Sequence, residues 1–413
     1  MKTKNLKKNQ TNPISSNEGI FLSAQSDNVQ KPPCLGGSGE AVGGSAFKKN
    51  SFTFFRLFLA FCVVISHSLA LYFGSSYEPR LALNGYYITL GNFAVYAFFA
   101  ISGFVITHSY ITRPDWKVFL SNRIKRIFPG LIACLFLTVF FFAPLLDTSP
   151  SNYIQNEIPN ATSYLLLNAT GFDVQTNIGE TLKEVKIDHK EINPVLWTIR
   201  YEIIAYILIV IIGVLGLLKK RIVGILFLIS NFLYWLTLAR PQLHEWFNTY
   251  FLFSEMYMFL SYFFAGSLIY FYRDKIINQE WRTKTTQDRH SGLDLESPNF
   301  DAKLKPTPYL ILLLSSFALI LSIYANQLSI FGPFSISLIT IILGYKLPFQ
   351  KLPKFLPDIS YGVYIYGWLT QLLIIRYLRD YLNYQQYISL VLILTAAFGY
   401  GSYWIVERRF LKK

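Results

Sequence analysis

Ten long apolar runs constrain the fold of this chain more than any other feature of its sequence. Each has about 17 to 22 residues, enough for a helix to cross a bilayer core of about 30 Å. Their approximate bounds are residues 54–73, 91–110, 127–146, 196–217, 222–239, 251–272, 309–325, 328–346, 359–379 and 386–406. The runs predict an all-α integral membrane protein, with about ten transmembrane helices in a bundle.

The distribution of basic residues predicts how these helices are oriented. The chain has 38 Lys and Arg against 24 Asp and Glu, and most of the basic residues fall in alternate segments between the runs. Cytoplasmic loops carry such an excess of Lys and Arg, so both termini are expected in the cytoplasm. This topology accounts for the net charge of +14 without a nucleic-acid partner.

The same pattern gives a domain organisation. Residues 1–50 are polar and aperiodic, which predicts a disordered cytoplasmic tail before a ten-helix domain at 51–413. Within that domain, 147–195 is a long outer loop and 273–308 a flexible cytoplasmic loop. The three cysteines show no paired spacing, so neither a disulfide framework nor a metal site is expected.

Ionisable residues inside apolar runs are costly, so each one suggests a functional site. Arg56 and His67 lie eleven residues apart in the first run, about three helical turns, and therefore on nearly the same face. An imidazole can take a proton from a hydroxyl, and a guanidinium can hold a phosphate. The alternative is that Arg56 reaches the headgroups and His67 is a core histidine with satisfied hydrogen bonds.

Three further motifs are candidates for the same site. Arg123 and Arg126 share a helix face and suit a phosphorylated ligand, or else anchor the chain at the cytoplasmic surface. Ser102, beside Gly103 in mid-run, either allows close helix packing or places a hydroxyl at a cavity. Glu202 enters the fourth run from its outer end and needs a partner, such as an arginine or His67. A structural ion pair and a catalytic role are both open for Glu202.

Together these residues resemble membrane-bound acyltransferase family 3, whose bacterial members acylate glycans and other hydroxyl compounds. The matching positions are Arg56 and His67; Ser102-Gly103-Phe104; Arg123, Arg126 and Pro129; Leu196-Trp197 and Glu202; and Ser360-Tyr361 with Tyr364. The chain departs from the family where Gly367-Trp368-Leu369 replaces a His-Trp-Pro. It departs again where the closing motif reads Glu407-Arg408-Arg409-Phe410.

The resemblance implies a multi-pass enzyme of the bacterial inner membrane that uses acyl-CoA, acetyl-CoA above all, as donor. Arg56, Arg123 and Arg126 would bind the donor phosphates, with Ser102 also at the donor site. His67 would be the general base, and Glu202 would orient it. The acceptor would be a cell-surface or lipid-linked saccharide, of a kind that the sequence leaves open. The resemblance implies no metal.

Two other classes of protein remain alternatives. In a transporter or flippase, His67, Glu202 and Arg376 would form a polar pathway, although the chain lacks the matched repeats typical of such proteins. A non-catalytic membrane scaffold would tolerate replacement of His67.

Overall fold

The computed structural model describes residues 51–411 apart from 186, 188–189, 241, 243–244, 246–254, 278–306 and 347–356. The predicted tail at 1–50 and most of the predicted cytoplasmic loop at 273–308 lie outside the described residues. The helices of the described part are α1 (Phe52–Phe73), α2 (Leu90–Thr112), α3 (Trp116–Leu146), α4 (Pro150–Asn156), α5 (Ile158–Ala169), α6 (Pro194–Val214), α7 (Lys220–Ala239), α8 (Glu255–Ile276), α9 (Pro308–Tyr324), α10 (Leu328–Lys346), α11 (Ser360–Leu378) and α12 (Tyr384–Leu411).

A helix stands at each of the ten apolar runs, so the predominantly helical membrane fold is confirmed. Seven described helices are long and apolar enough to cross a membrane, namely α1, α2, α3, α6, α7, α10 and α12. The chain is therefore a multi-pass membrane protein. That all ten cross, with both termini on the cytoplasmic side, stays a prediction.

The helices at the other three runs, α8, α9 and α11, lack the length or the hydropathy of a typical membrane span. Helices α8 and α11 are long enough but carry Tyr, Gly, Ser, Thr and Gln among their apolar residues, and most of their side chains are buried against protein. A helix surrounded by other helices has few lipid contacts, so its side chains need not be strongly hydrophobic. Helix α9 is apolar but has only 17 residues.

Helix α3 begins well before its apolar run. The Asp115 carboxylate accepts hydrogen bonds from the backbone N–H groups of Lys117 and Val118, at 2.9 and 3.1 Å, and so caps the first turn. As a result Arg123 and Arg126 lie inside the helix rather than in front of it. Pro129 follows within the same helix, where it cannot donate a backbone hydrogen bond.

The predicted outer loop contains structure that the apolar runs did not indicate. Two short helices, α4 and α5, occupy part of 147–195, and each has a proline in its first turn. An antiparallel hairpin of β1 (Arg80–Leu83) and β2 (Tyr86–Thr89) joins α1 to α2. These elements are too short and too polar to produce a hydropathy signal.

Helix α1 is held along its length by α2 and α11. Gly367 of α11 lies so close to α1 that a Cβ there would stand 2.6 Å from a methyl group of Val64. The Gln371 amide donates to the Val64 carbonyl at 3.0 Å. These contacts bring α11 against the middle of α1, next to His67.

Candidate functional site

A cavity of about 590 Å³ lies between α1, α2, α3, α6, α11 and the end of α12. Its size is within the usual range for sites that bind small molecules. One wall, contributed by α2, is largely apolar. Charged and hydroxyl-bearing side chains from the other helices form the rest.

Five of the six predicted site residues line this one cavity. They are Arg56, Ser102, Arg123, Arg126 and Glu202. They come from four helices and are spread over nearly 150 positions of sequence. The structure thus brings together the motifs that were grouped by resemblance, although it does not test the role of any of them.

His67 is not among the described residues that line the cavity. Its imidazole packs against the indole of Trp368, with ring centres 5.3 Å apart and planes at 82°. Trp368 is itself held by a hydrogen bond of 3.0 Å from its Nε1 to the Glu191 carbonyl. Trp368 stands one helical turn beyond Tyr364, which does line the cavity, so His67 lies past the Tyr364 end of it.

Two of the predicted phosphate-binding arginines share one carboxylate, that of Asp358. Arg56 Nη2 donates to Asp358 Oδ2 at 2.6 Å, and Arg126 Nη2 donates to the same oxygen at 2.9 Å. The other oxygen, Oδ1, accepts from the Ser360 hydroxyl at 2.6 Å and from its backbone N–H at 3.3 Å. Asp358 therefore joins α1, α3 and the start of α11.

These contacts keep Asp358 charged. Burial raises the pKa of its carboxyl, but the Arg56 and Arg126 guanidiniums and the Ser360 hydrogen bonds outweigh burial and lower the pKa to about 2. Because the pKa is lowered on folding, the ionised carboxylate stabilises the fold above its ordinary pKa of 3.8. That contribution is lost progressively as the pH falls from 3.8 through about 2.

A second carboxylate stands behind Arg126. Glu407 Oε2 lies 4.0 Å from Arg126 Nη1, and the Ser402 hydroxyl donates to Glu407 Oε1 at 3.1 Å. The Glu407 side chain is only 1% exposed. Sequence reasoning placed Glu407 at a helix end without a role, and it missed Asp358. No local signal marks Asp358, since its contact with Arg56 joins positions 302 residues apart.

Arg123 differs from the other two arginines. Among the described residues it forms no salt bridge with a carboxylate. Its guanidinium instead lies over the rings of Phe119 and Tyr206, at 5.6 and 5.9 Å from the ring centres. Arg123 thus carries a positive charge at the cavity that no described acidic side chain neutralises.

Glu202 takes part in a short chain of hydroxyl groups. The Tyr206 hydroxyl donates to Glu202 Oε1 and lies 3.5 Å from the Ser102 hydroxyl. Ser102 therefore places a hydroxyl at the cavity, while the adjacent Gly103 packs against the backbone of α8. The hydrogen bond that the structure gives Glu202 is with Tyr206; its predicted partnership with His67 stays a prediction.

The charges of the lining suit an anionic ligand. Four of the lining side chains are cationic and one is a carboxylate. The cations are Arg56, Arg123, Lys125 and Arg126, and the carboxylate is Glu202. Guanidinium groups bind phosphate oxygens through paired hydrogen bonds. Within the described residues, no group of three His, Cys, Asp or Glu side chains is placed to hold a metal ion.

Comparison with known proteins extends this picture. The family described as "Acyltransferase domain" matches residues 49–407. The "O-acetyl transferase" of Shigella phage Sf6 is 33% identical over 163 residues, which are 39% of this chain and 45% of that protein. An "Uncharacterized protein" of Haemophilus influenzae (strain ATCC 51907 / DSM 11121 / KW20 / Rd) is 31% identical over 154 residues, 34% of this chain and 57% of that protein. The alignments thus span about half the length of these curated relatives. No solved structure matches the chain.

Proposed function

We propose, because the chain belongs to the acyltransferase family, that it is a membrane O-acyltransferase which moves an acyl group from acyl-CoA to a hydroxyl of a saccharide. The cavity carries this proposal, since it joins arginines from two helices to an apolar wall inside a membrane protein. A donor with phosphates at one end and an uncharged arm at the other fits that combination.

The donor phosphates bind at the arginine end, where Arg123 has no carboxylate partner among the residues that the structure describes. Arg56 stands about 16.5 Å along α1 from His67, a distance that an extended arm has to cover. The arm runs along the α2 wall of the cavity, past Ser102, and its acyl end passes Tyr364 to reach His67. The apolar wall suits an uncharged acyl group, and the name O-acetyl transferase of the phage Sf6 relative makes acetyl the first candidate.

The reaction at His67 is a simple acyl transfer. The imidazole takes the proton of an acceptor hydroxyl, and the oxygen attacks the thioester carbonyl carbon. The new C–O bond forms as the C–S bond breaks, and the departing thiolate takes the proton back from the imidazolium. His67 is thereby restored for the next cycle, and Glu202 with Tyr206 supplies polar groups on the donor side.

Two observations support O-acetylation at the outer side of the membrane. The relative from phage Sf6 bears the name O-acetyl transferase. From the distribution of Lys and Arg, we expect the His67 half of α1 to lie toward the outer face of the membrane. A bacterial inner-membrane enzyme arranged this way joins a cytoplasmic donor to an acceptor on the outer side.

The proposal is tested by mass spectrometry of surface saccharides from cells that lack the gene and carry wild type, His67→Ala or His108→Ala on a plasmid. Wild type is expected to restore an acetyl increment that the empty strain lacks. Removal of a general base lowers rate by about 10² to 10⁴, so His67→Ala should give almost no acetylation. His108, which pairs with Tyr270 away from the cavity, is the matched control and should behave as wild type.

Full acetylation by His67→Ala would reject His67 as the base. If the wild-type and empty strains show no difference in acetyl content, saccharide acetylation itself is rejected. A transporter or a scaffold predicts this result.

A further inference from the structure

Asp358 is not among the positions that carried the family resemblance, yet it accepts hydrogen bonds from two of the site's arginines and from Ser360. It lies in the short connection before α11, at a side-chain exposure of 18%. Each of its oxygens accepts two hydrogen bonds: Oδ2 from Arg56 and Arg126, and Oδ1 from the hydroxyl and the backbone N–H of Ser360. All four lone-pair positions of the carboxylate are thereby occupied.

Arg56 and Arg126 each keep N–H groups that do not bond to Asp358. Arg56 and Arg126 each touch Asp358 through one nitrogen, Nη2, whereas a guanidinium carries five N–H donors. Both side chains remain part of the cavity lining. Each can therefore bind Asp358 and a second anion at the same time.

The carboxylate also offsets the repulsion between the Arg56 and Arg126 guanidiniums. Two guanidiniums that share one oxygen lie close enough to repel each other strongly where water is scarce. The Ser360 contacts, made to the other oxygen Oδ1, fix the carboxylate to the first turn of α11, so Asp358 cannot follow a side chain that swings away. A carboxylate held in this way keeps the two guanidiniums in place. It does not compete with the donor phosphates for them, as a mobile anion would.

We propose that Asp358 is a positioning residue for the donor: it holds the Arg56 and Arg126 guanidiniums at the cavity wall so that their remaining N–H groups, together with Arg123, receive the donor phosphates. This inference rests on the proposed function, because it names how the arginine end of the same site is built. It divides the arginines into two positioned by a carboxylate and one, Arg123, that meets the donor directly.

The test uses the full-length protein in detergent and compares wild type, Asp358→Asn, Ser360→Ala and Asp274→Asn. Asp274 is an exposed carboxylate next to Arg273, outside the cavity lining, and serves as the matched control. Coenzyme A is the binding probe in calorimetry, and acetyl-CoA is the donor in steady-state assays that follow thiol release.

The substitution of Asp358 by Asn keeps the size of the side chain but removes the charge. Loss of one partner of a desolvated ion pair should raise the donor KM and the coenzyme A Kd by about tenfold or more, with kcat changed by less than about threefold because ground state and transition state lose the same contact. Ser360→Ala leaves the charges of Asp358 and the arginines in place and removes only the hydroxyl hydrogen bond to Asp358. A smaller rise in the donor KM and the coenzyme A Kd, about two- to fivefold, is therefore expected. Asp274→Asn should match wild type.

A lower donor KM in Asp358→Asn would overturn the inference, because it would mean that Asp358 competes with the donor for the arginines. An unchanged KM would overturn it as well. If Asp358→Asn does not fold, judged by gel filtration and thermal melting, Ser360→Ala decides alone on the same criteria. A wild-type protein that neither binds coenzyme A nor releases its thiol would instead reject the proposed function.

Discussion

Trp368 belongs to the Gly367-Trp368-Leu369 segment of α11, and its indole packs against the His67 ring. The indole is fixed from the other side by its hydrogen bond to the Glu191 carbonyl. The edge-on contact restricts the rotation of the imidazole. At the scale of single residues, we therefore expect Trp368 to orient the proposed base, with Gly367 rather than a histidine before it.

Replacement of Trp368 by Leu should lower kcat by about two- to tenfold, the range expected from loss of one aromatic pair. The donor KM should stay unchanged, because Trp368 lies outside the cavity lining. Trp368→Phe keeps a ring and should lose less. Steady-state assays with acetyl-CoA measure both constants, and Trp404→Leu, at an exposed tryptophan of α12, is the control. A raised KM with normal kcat would contradict the orienting role.

Residue spacing predicted the site only in part. Arg56, Arg123 and Arg126 could be proposed from the sequence because helical periodicity or family spacing marks them. Asp358 could not, since its contact with Arg56 joins positions 302 residues apart. Nothing local distinguishes a loop aspartate that binds two arginines from one that faces water, so only the tertiary packing identifies it.

At the scale of elements, α2 and α8 meet backbone to backbone through two glycines. A Cβ at Gly103 would lie 1.9 Å from the Phe263 carbonyl oxygen, and one at Gly266 would lie 2.0 Å from that of Ala100. The Ser267 hydroxyl donates to the Gly103 carbonyl at 3.1 Å across the same interface. Small residues that allow such an approach are typical of packed membrane helices.

Gly103→Ala should therefore force α2 and α8 apart and destabilise the protein by about 1 to 3 kcal/mol. It should also reduce activity, because the neighbouring Ser102 lines the cavity. Thermal unfolding in detergent measures the first effect. Gly401→Ala in α12 is the control, since a Cβ there meets nothing within 4 Å. Equal melting temperatures for Gly103→Ala and wild type would contradict the prediction. They would mean that the interface between α2 and α8 accommodates the added methyl group at no cost.

Hydropathy predicted the elements with uneven success. The runs that became α1, α2 and α6 were located closely, because long apolar helices contact lipid or core along their whole length. The start of α3 was misplaced because the Asp115 cap and the polar first turns have no hydropathy signal. Helices α4 and α5 and the β1–β2 hairpin were missed for the same reason.

At the scale of the whole molecule, the orientation across the membrane can be tested with a native cysteine. Cys62 and Cys134 are buried, whereas Cys34 belongs to the tail predicted to be cytoplasmic. A membrane-impermeant maleimide should label Cys34 in inverted vesicles and not in intact spheroplasts. A Cys34→Ser, Ser76→Cys variant moves the thiol to the exposed turn after α1 and should reverse the pattern. Labelling of Cys34 from outside would invert the proposed topology.

The contact between Arg56 and Asp358 has a consequence for the synthesis and membrane insertion of the chain. A ribosome adds about 5 to 20 residues per second, so the 302 residues between the two positions take about 15 to 60 s to synthesise. During that time α1 is already made and its arginine lacks the carboxylate that later holds it. The proposed donor end of the site is thus completed only after Asp358 has been synthesised, and a chain that stops before Asp358 would carry its first helix without the carboxylate that binds Arg56.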